Sequence, residues 1–187
     1  MADTAPDLFR LVAGFRQFRV LGSSLCSLHT EDVWEPGPHT AHCLTHADHE
    51  GKVPVHGCAC GFYAWYGPPP RGASAVTADL VAGAVVLWGR LELHPNGMRA
   101  ENAMVVALAL PFSRGAKRRS VIAAAEALDV PAVPARKLKA AVLEHGDVIP
   151  HRMRPRSTTP NKRAAPGPPA PARLAAVADG YRSRTRG

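Results

Sequence analysis

The dipeptide Asn96-Gly97 constrains the fold of this chain most strongly, because it separates two long apolar-rich segments. Asn-Gly readily adopts the positive φ angles of a tight hairpin turn. On both sides of it, apolar residues recur at the two-residue period of a β-strand. The pattern predicts an antiparallel hairpin over about residues 83–109, with Gly89 marking a bulge.

The segments around this hairpin predict the remaining elements. Residue types favour strands in GFRQFRVLG and SSLCSLH, whereas the prolines and glycine of VWEPGPHT indicate a loop. After the hairpin, apolar spacing predicts helices over 114–128 and 135–145, joined by an extended VPAVP connector. Strands followed by helices indicate an α+β fold, a small antiparallel sheet with two helices packed on it.

Charge is distributed unevenly along the 187 residues, which carry a net charge of +8. Residues 1–150 hold 14 Lys/Arg and 14 Asp/Glu, whereas residues 151–187 hold nine Lys/Arg and one acid, Asp179. The Pro- and Arg-rich tail has too few large apolar residues to offset the entropy of ordering. We expect a flexible N-terminus (1–13), a single globular domain (14–150) and a disordered basic tail (151–187).

The basic tail is the first candidate for partner binding, because disordered cationic segments bind phosphates without sequence preference. The expected partner is nucleic acid or an acidic protein, and the alternative is a linker or solubility tail. A second basic cluster opens the first predicted helix, as a phosphate contact or as a solvated helix start. The candidate nucleic-acid-binding residues are Lys117, Arg118, Arg119, Arg152, Arg154, Arg156, Lys162 and Arg163.

Several classes of protein are not indicated. No apolar run reaches the ~18 residues of a membrane span, and the N-terminus lacks signal-peptide features. We therefore expect a cytoplasmic protein without a membrane partner, where four cysteines favour thiols or metal ligation over disulfides. No phosphate-binding, dinucleotide-binding or hydrolase motif indicates a familiar enzyme class.

The region from Cys43 to Cys60 gathers three cysteines and three histidines. Structural zinc sites use four such ligands in a tetrahedron. In an extended segment Cys58 and Cys60 point to the same side, and the flanking glycines permit the turn this requires. The pattern predicts a zinc ion that orders a segment unable to pack by itself. The candidate ligands are Cys43, Cys58 and Cys60 with one of His46, His49 or His56.

Two other interpretations of these residues stay open. The cysteines can be inert buried thiols, as we expect for Cys26 in an apolar strand. Alternatively, Cys58 or Cys60 is a nucleophilic or redox thiol assisted by His56. Near the turn, His94, Arg99 and Glu101 form either an acid–base pair or a solvated cross-strand charge pair.

Three runs of sequence in order, CACGFYA, GAVVLWGRLELHPNGMRAENA and AAAEALDVPAVPARKLKAAVLEHGDVIP, together with WEPG at 34–37, resemble a group of small, functionally uncharacterised actinobacterial and actinophage proteins. The resemblance covers about residues 14–150. It implies a shared fold and a bacterial, high-GC source, and it implies nothing about activity. Together these features predict a non-catalytic accessory or interaction module with a structural zinc site and a basic tail.

Overall fold

The predicted hairpin is the centre of the fold in this computed structural model, which describes residues 11–30, 32–69, 79–112 and 114–156. Eight strands and two α-helices are present in the described part of the chain. They are β1 (Val12–Leu21), β2 (Ser24–Ser27), β3 (Val33–Trp34), β4 (His39–Thr40), β5 (Phe62–Trp65), β6 (Leu80–His94), β7 (Gly97–Leu110), α1 (Ala116–Ala127), β8 (Ala132–Pro134) and α2 (Leu138–Leu143).

Strands β6 and β7 confirm the hairpin, but its turn differs from the predicted one. The turn residues are Pro95 and Asn96, and Gly97 already pairs with His94 as the first residue of β7. The proline ring fixes φ near −65°, which rules out the mirror-image turn expected for Asn-Gly. The pairing shifts register between Trp88 and Leu91, and Gly89 has φ of 79° there, which confirms the bulge.

The sheet is mixed and curls upon itself. Strand β1 pairs with β6 and with β5, and β7 pairs with the same two strands, so the pairings close a ring through β1, β6, β7 and β5. The predicted antiparallel sheet with its long hairpin is present, and the short strand β8 adds a parallel pairing with β7. Strands β3 and β4 lie where a loop was expected, because backbone pairing with β2 and β7 overrides the turn-forming residues.

The two helices pack on opposite faces of the sheet. Strand β6 places Val85 and Val86 in different core clusters, because neighbouring residues of a strand point to opposite faces. Helix α1 contributes Val121 to the cluster of Val85, and α2 contributes Val142 to the cluster of Val86. The α+β class and both predicted helices are confirmed, and Cys26 is buried as expected.

The folded body extends further than 14–150 at both ends. Strand β1 begins at Val12, and the side chains of Val12 and Ala13 are buried in the two core clusters. The Ala13 amide also donates to the carbonyl of Asp147 at 2.8 Å. At the other end, the Arg154 guanidinium lies 4.3 Å from the centroid of the Tyr66 ring. The expectations for residues 1–10 and 157–187, including the disordered tail, lie outside the described residues.

Candidate metal centre

Residues 41–61, called here the Cys/His segment, form a long connection between two strands that both pair with β7. Strand β4 leads into it, β5 leads out of it, and the amide of Ala41 donates to the carbonyl of Glu101 at 2.8 Å. Within this fully described segment, only Val53, Pro54 and Cys60 are buried. Apolar packing therefore fixes little of the segment between its two anchored ends.

Four potential ligands from this segment converge. One ligand atom each from Cys43, His49, Cys58 and Cys60 lies within 4.8 Å of the other three. The sulfurs of Cys43 and Cys58 are 3.7 Å apart, and all three cysteines are free thiols. Three sulfurs and one imidazole at this spacing can hold a metal ion.

Two glycines produce the turn that brings Cys58 and Cys60 into the cluster. Gly57 has φ of 81° and Gly61 has φ of 105°, backbone conformations that residues other than glycine rarely adopt. Between them, the amide of Cys58 donates to the carbonyl of Val55 at 3.1 Å. The Val55 amide in turn donates to the sulfur of Cys60 at 3.4 Å. The structure thus confirms the role expected of the bracketing glycines.

The three candidate histidines occupy different positions. His49 ends a short 3₁₀ helix (Ala47–His49), and within the described part of the chain its buried Nδ1 atom makes no hydrogen bond. His46 is exposed, with its Nδ1 at 3.9 Å from the Cys43 sulfur and 3.8 Å from the Cys58 sulfur. The side chain of His56 is 99% exposed, and its Nδ1 lies 3.0 Å from Glu92 Oε1, outside the cluster.

The cluster holds its thiols in unequal protonation states. Hydrogen bonds from Thr45, and then from His46, lower the pKa of the Cys43 thiol to about 5 despite opposing desolvation. The backbone amide of Cys60 lowers the pKa of Cys58, whereas burial raises the pKa of Cys60 itself. Hydrogen bonding to Cys43 raises the pKa of both His46 and His49. At neutral pH Cys43 is a thiolate, which is the form that ligates metals.

Arg99 connects the Cys/His segment to the hairpin. Its side chain is buried, and it donates hydrogen bonds to the carbonyl oxygens of Val55, Cys58 and Cys60, the last at 3.0 Å. The same guanidinium forms an ion pair with Glu92 and donates from Nε to His94 Nε2 at 3.2 Å. Both cysteines of the turn therefore have their backbone held by one side chain.

Of the three residues predicted to interact near the turn, His94 and Arg99 are in contact, and the acidic partner of Arg99 is Glu92. The Glu101 carboxylate accepts a hydrogen bond from the Arg90 amide at 3.0 Å. The available signal was the turn position: with Pro95 and Asn96 as the turn, Glu92 lies directly opposite Arg99. Burial of Arg99 follows from the Cys/His segment covering this face, which strand alternation does not reveal.

The predicted phosphate-binding residues lie away from this centre. Lys117, Arg118 and Arg119 occupy the first turn of α1, and Arg118 donates to the carbonyl of Pro111 at 3.3 Å. Arg154 donates to the carbonyl of Ile149, and Arg152 and Arg156 lie near the end of the described chain. Lys162 and Arg163 lie outside the described residues.

Comparison of the chain with protein-family models, with curated proteins and with solved structures finds no match. In the part of the chain that the structure describes, no helix is long and apolar enough to cross a membrane.

Proposed function

We propose that this protein is a non-catalytic interaction module in which a zinc ion, bound by Cys43, His49, Cys58 and Cys60, holds the Cys/His segment. The observation that carries the proposal is the convergence of their four ligand atoms within 4.8 Å. In a zinc tetrahedron with Zn–S bonds of about 2.3 Å, two sulfurs lie about 3.8 Å apart. The separation of 3.7 Å between the sulfurs of Cys43 and Cys58 supports this geometry.

The composition of the ligand set supports zinc over harder cations. Thiolates and imidazole select soft or borderline metals, whereas calcium and magnesium require oxygen ligands. One ring nitrogen of His49 belongs to the cluster, and the buried Nδ1 of the same ring has no hydrogen-bond partner among the described residues.

A structural role follows from the number of ligands. Four protein ligands complete the zinc coordination, so no position is open for a water or substrate. The ion would instead contribute folding free energy to a segment that buries little apolar surface. This argument supports a module that acts through binding.

Metal analysis of protein purified without a histidine tag tests the proposal. We expect about one zinc per chain in the wild type and loss of zinc in Cys58→Ser. Cys26→Ala is the matched control, because Cys26 lies in β2 outside the cluster, and it should retain the ion. Absence of zinc from the freshly purified wild type would contradict the proposal.

A thiol-dependent activity is the second candidate, supported by the lowered pKa of Cys43, about 5, and by the nearby sulfur of Cys58. The contact of His56 with Glu92 gives no support to a thiol–His56 pair. A metal-free wild type whose thiols react rapidly with alkylating reagents at neutral pH would favour this candidate.

The partner that we propose for the module is a nucleic acid or another acidic surface, bound through the basic tail, in the reducing cytoplasm where the thiols stay available to zinc. Membership in the actinobacterial and actinophage group is likewise a proposal, based on its sequence motifs. The charge distribution supports an acidic partner, since residues 151–187 carry a net charge of +8. We expect non-specific DNA binding that weakens steeply with salt and weakens further in Lys162→Gln/Arg163→Gln. Equal binding by that variant would remove these tail residues from the account.

A further inference from the structure

A groove of about 560 Å³ lies where β7 ends and α1 begins, and none of its lining residues belongs to the Cys/His segment. Its wall carries four guanidinium groups, from Arg114, Arg118, Arg119 and Arg136, and its apolar lining includes Leu110 and Ile122. Three different stretches of the chain thus contribute to one basic concavity: the end of β7, the start of α1 and the residues after β8.

The charge of this groove is uncompensated among the described residues. No carboxylate is among its described lining residues, and Arg114, Arg119 and Arg136 are exposed. No described acidic side chain forms an ion pair with these three arginines. The first turn of α1 also lacks an acidic residue, so its dipole adds to the positive field. Such a surface is complementary to a polyanion.

An aromatic ring lies beside these charges. Phe112 lines the groove and is 86% exposed, the most exposed large apolar side chain among the described residues. Exposed aromatic rings next to cationic grooves provide stacking surfaces for the bases of single strands. A duplex hides the faces of its bases, and an acidic peptide has none, so the ring favours a single-stranded nucleic acid.

We propose that this groove binds a single-stranded nucleic acid, with backbone phosphates on Arg119 and Arg136 and a base stacked on Phe112. The inference deepens the nucleic-acid part of the proposed function and is independent of the zinc site. Guanidinium groups suit this role because their planar fork donates two hydrogen bonds to one phosphate. The groove would recognise the strand without base-specific contacts.

Fluorescence anisotropy of the full chain with a labelled oligothymidylate of about ten nucleotides, within the usual site size, tests the proposal. For Arg119→Gln/Arg136→Gln we expect the slope of log affinity against log salt to fall by about 1.4, the loss of two phosphate contacts. For Phe112→Ala we expect affinity to fall about tenfold. Lys52→Gln/Lys139→Gln is the matched control, because it removes the same charge from exposed positions outside the groove.

The outcomes separate this inference from the proposed function. Three results would contradict the assignment of the groove as the binding site. They are an equal loss of oligonucleotide affinity in the control variant, an unchanged affinity in Phe112→Ala, and equally tight binding of an acidic peptide of similar length. Binding lost only in Lys162→Gln/Arg163→Gln would overturn the groove and leave the tail as the nucleic-acid site. Absence of oligonucleotide binding by the wild type would remove both. Thermal melts would establish that each variant is folded.

Discussion

At the scale of single residues, Arg99 determines how the Cys/His segment is held against the sheet. A buried guanidinium normally requires a carboxylate and several acceptors, and Arg99 has Glu92 and three backbone carbonyls. Two of those carbonyls belong to Cys58 and Cys60, so Arg99 orients the backbone of two candidate ligands from outside the coordination sphere. Such outer partners position ligands and influence metal affinity.

Arg99→Ala should lower zinc affinity about 10–100-fold, because the cysteine carbonyls lose their common donor and Glu92 loses its partner. Competition with a chromophoric chelator measures this change. Arg90→Ala is the control, since Arg90 also donates to the segment but at the carbonyl of Lys52, away from the ligands. Equal affinities for wild type and Arg99→Ala would show that Arg99 has no positioning role.

Alanine variants of the three histidines should differ in zinc affinity in the same assay. His49→Ala is expected to lose at least tenfold in zinc affinity, because it removes the fourth ligand of the cluster. His56→Ala should bind zinc like the wild type, since its side chain is exposed and contacts Glu92. If the zinc affinity fell in His46→Ala and not in His49→Ala, the ligand would be His46, whose Nδ1 lies 3.8 Å from the Cys58 sulfur.

The unequal thiol pKa values predict selective alkylation of zinc-free protein. With its pKa lowered to about 5, Cys43 is a thiolate in mildly acidic solution, whereas burial raises the pKa of Cys60 and keeps it protonated. Because the thiolate is the nucleophile, Cys43 should react first with iodoacetamide at about pH 6.5, and bound zinc should protect it. Mass spectrometry of the labelled peptides measures the order, and labelling of Cys60 before Cys43 would contradict it.

At the scale of elements, the sequence predicts what local pattern controls and misses what distant pairing controls. The hairpin and both helices follow from apolar periodicity over long segments, and Cys26 follows from its apolar strand. The short strands β3, β4 and β5 have two to four residues each, too few for a periodic signal. They form by pairing with other strands, β3 with β2, β4 with β7, and β5 with β1 and β7, which no local pattern encodes.

The candidate site divides in the same way. Cys43, Cys58 and Cys60 were recognisable by residue type and spacing, because thiols are common metal ligands and residues two apart in an extended segment point to the same side. The choice among His46, His49 and His56 was not, because it depends on the 3₁₀ turn and on where Glu92 lies across the hairpin. The role of Arg99 also depends on a distant segment folding over it.

Gly61→Ala tests whether the turn at Cys60 is set by backbone conformation. Gly61 has φ of 105°, and a Cβ atom there would lie 3.1 Å from Pro54 Cβ and 3.2 Å from the Ala100 carbonyl oxygen. We expect a loss of about 1–3 kcal/mol in the free energy of unfolding, together with weaker zinc binding. Gly51→Ala, at φ of 68° with open space around it, is the control and should retain zinc affinity. Chemical denaturation and chelator competition measure the two effects.

At the scale of the whole molecule, the structure has two parts that differ in what stabilises them. The sheet and helices bury large side chains such as Phe15, Phe18 and Leu108 on both faces of the sheet. The Cys/His segment buries little and is anchored at its ends on β7. Removal of the metal should therefore loosen the segment and leave the core folded.

Hydrogen–deuterium exchange with and without a strong chelator measures this difference. With the chelator present, we expect faster exchange in peptides from residues 41–61, because local opening is governed by local contacts. Peptides from β6 and from the second half of β7 should keep their protection. Unchanged exchange in the segment, or loss of protection throughout the molecule, would contradict the division into two parts.

X-ray absorption at the zinc edge of the purified, untagged protein would show directly whether the four clustered residues coordinate zinc. We expect a coordination shell of three sulfur atoms at about 2.3 Å and one nitrogen atom at about 2.0–2.1 Å. A sample without zinc, or a shell made only of oxygen and nitrogen, would mean that the cluster is not a zinc site.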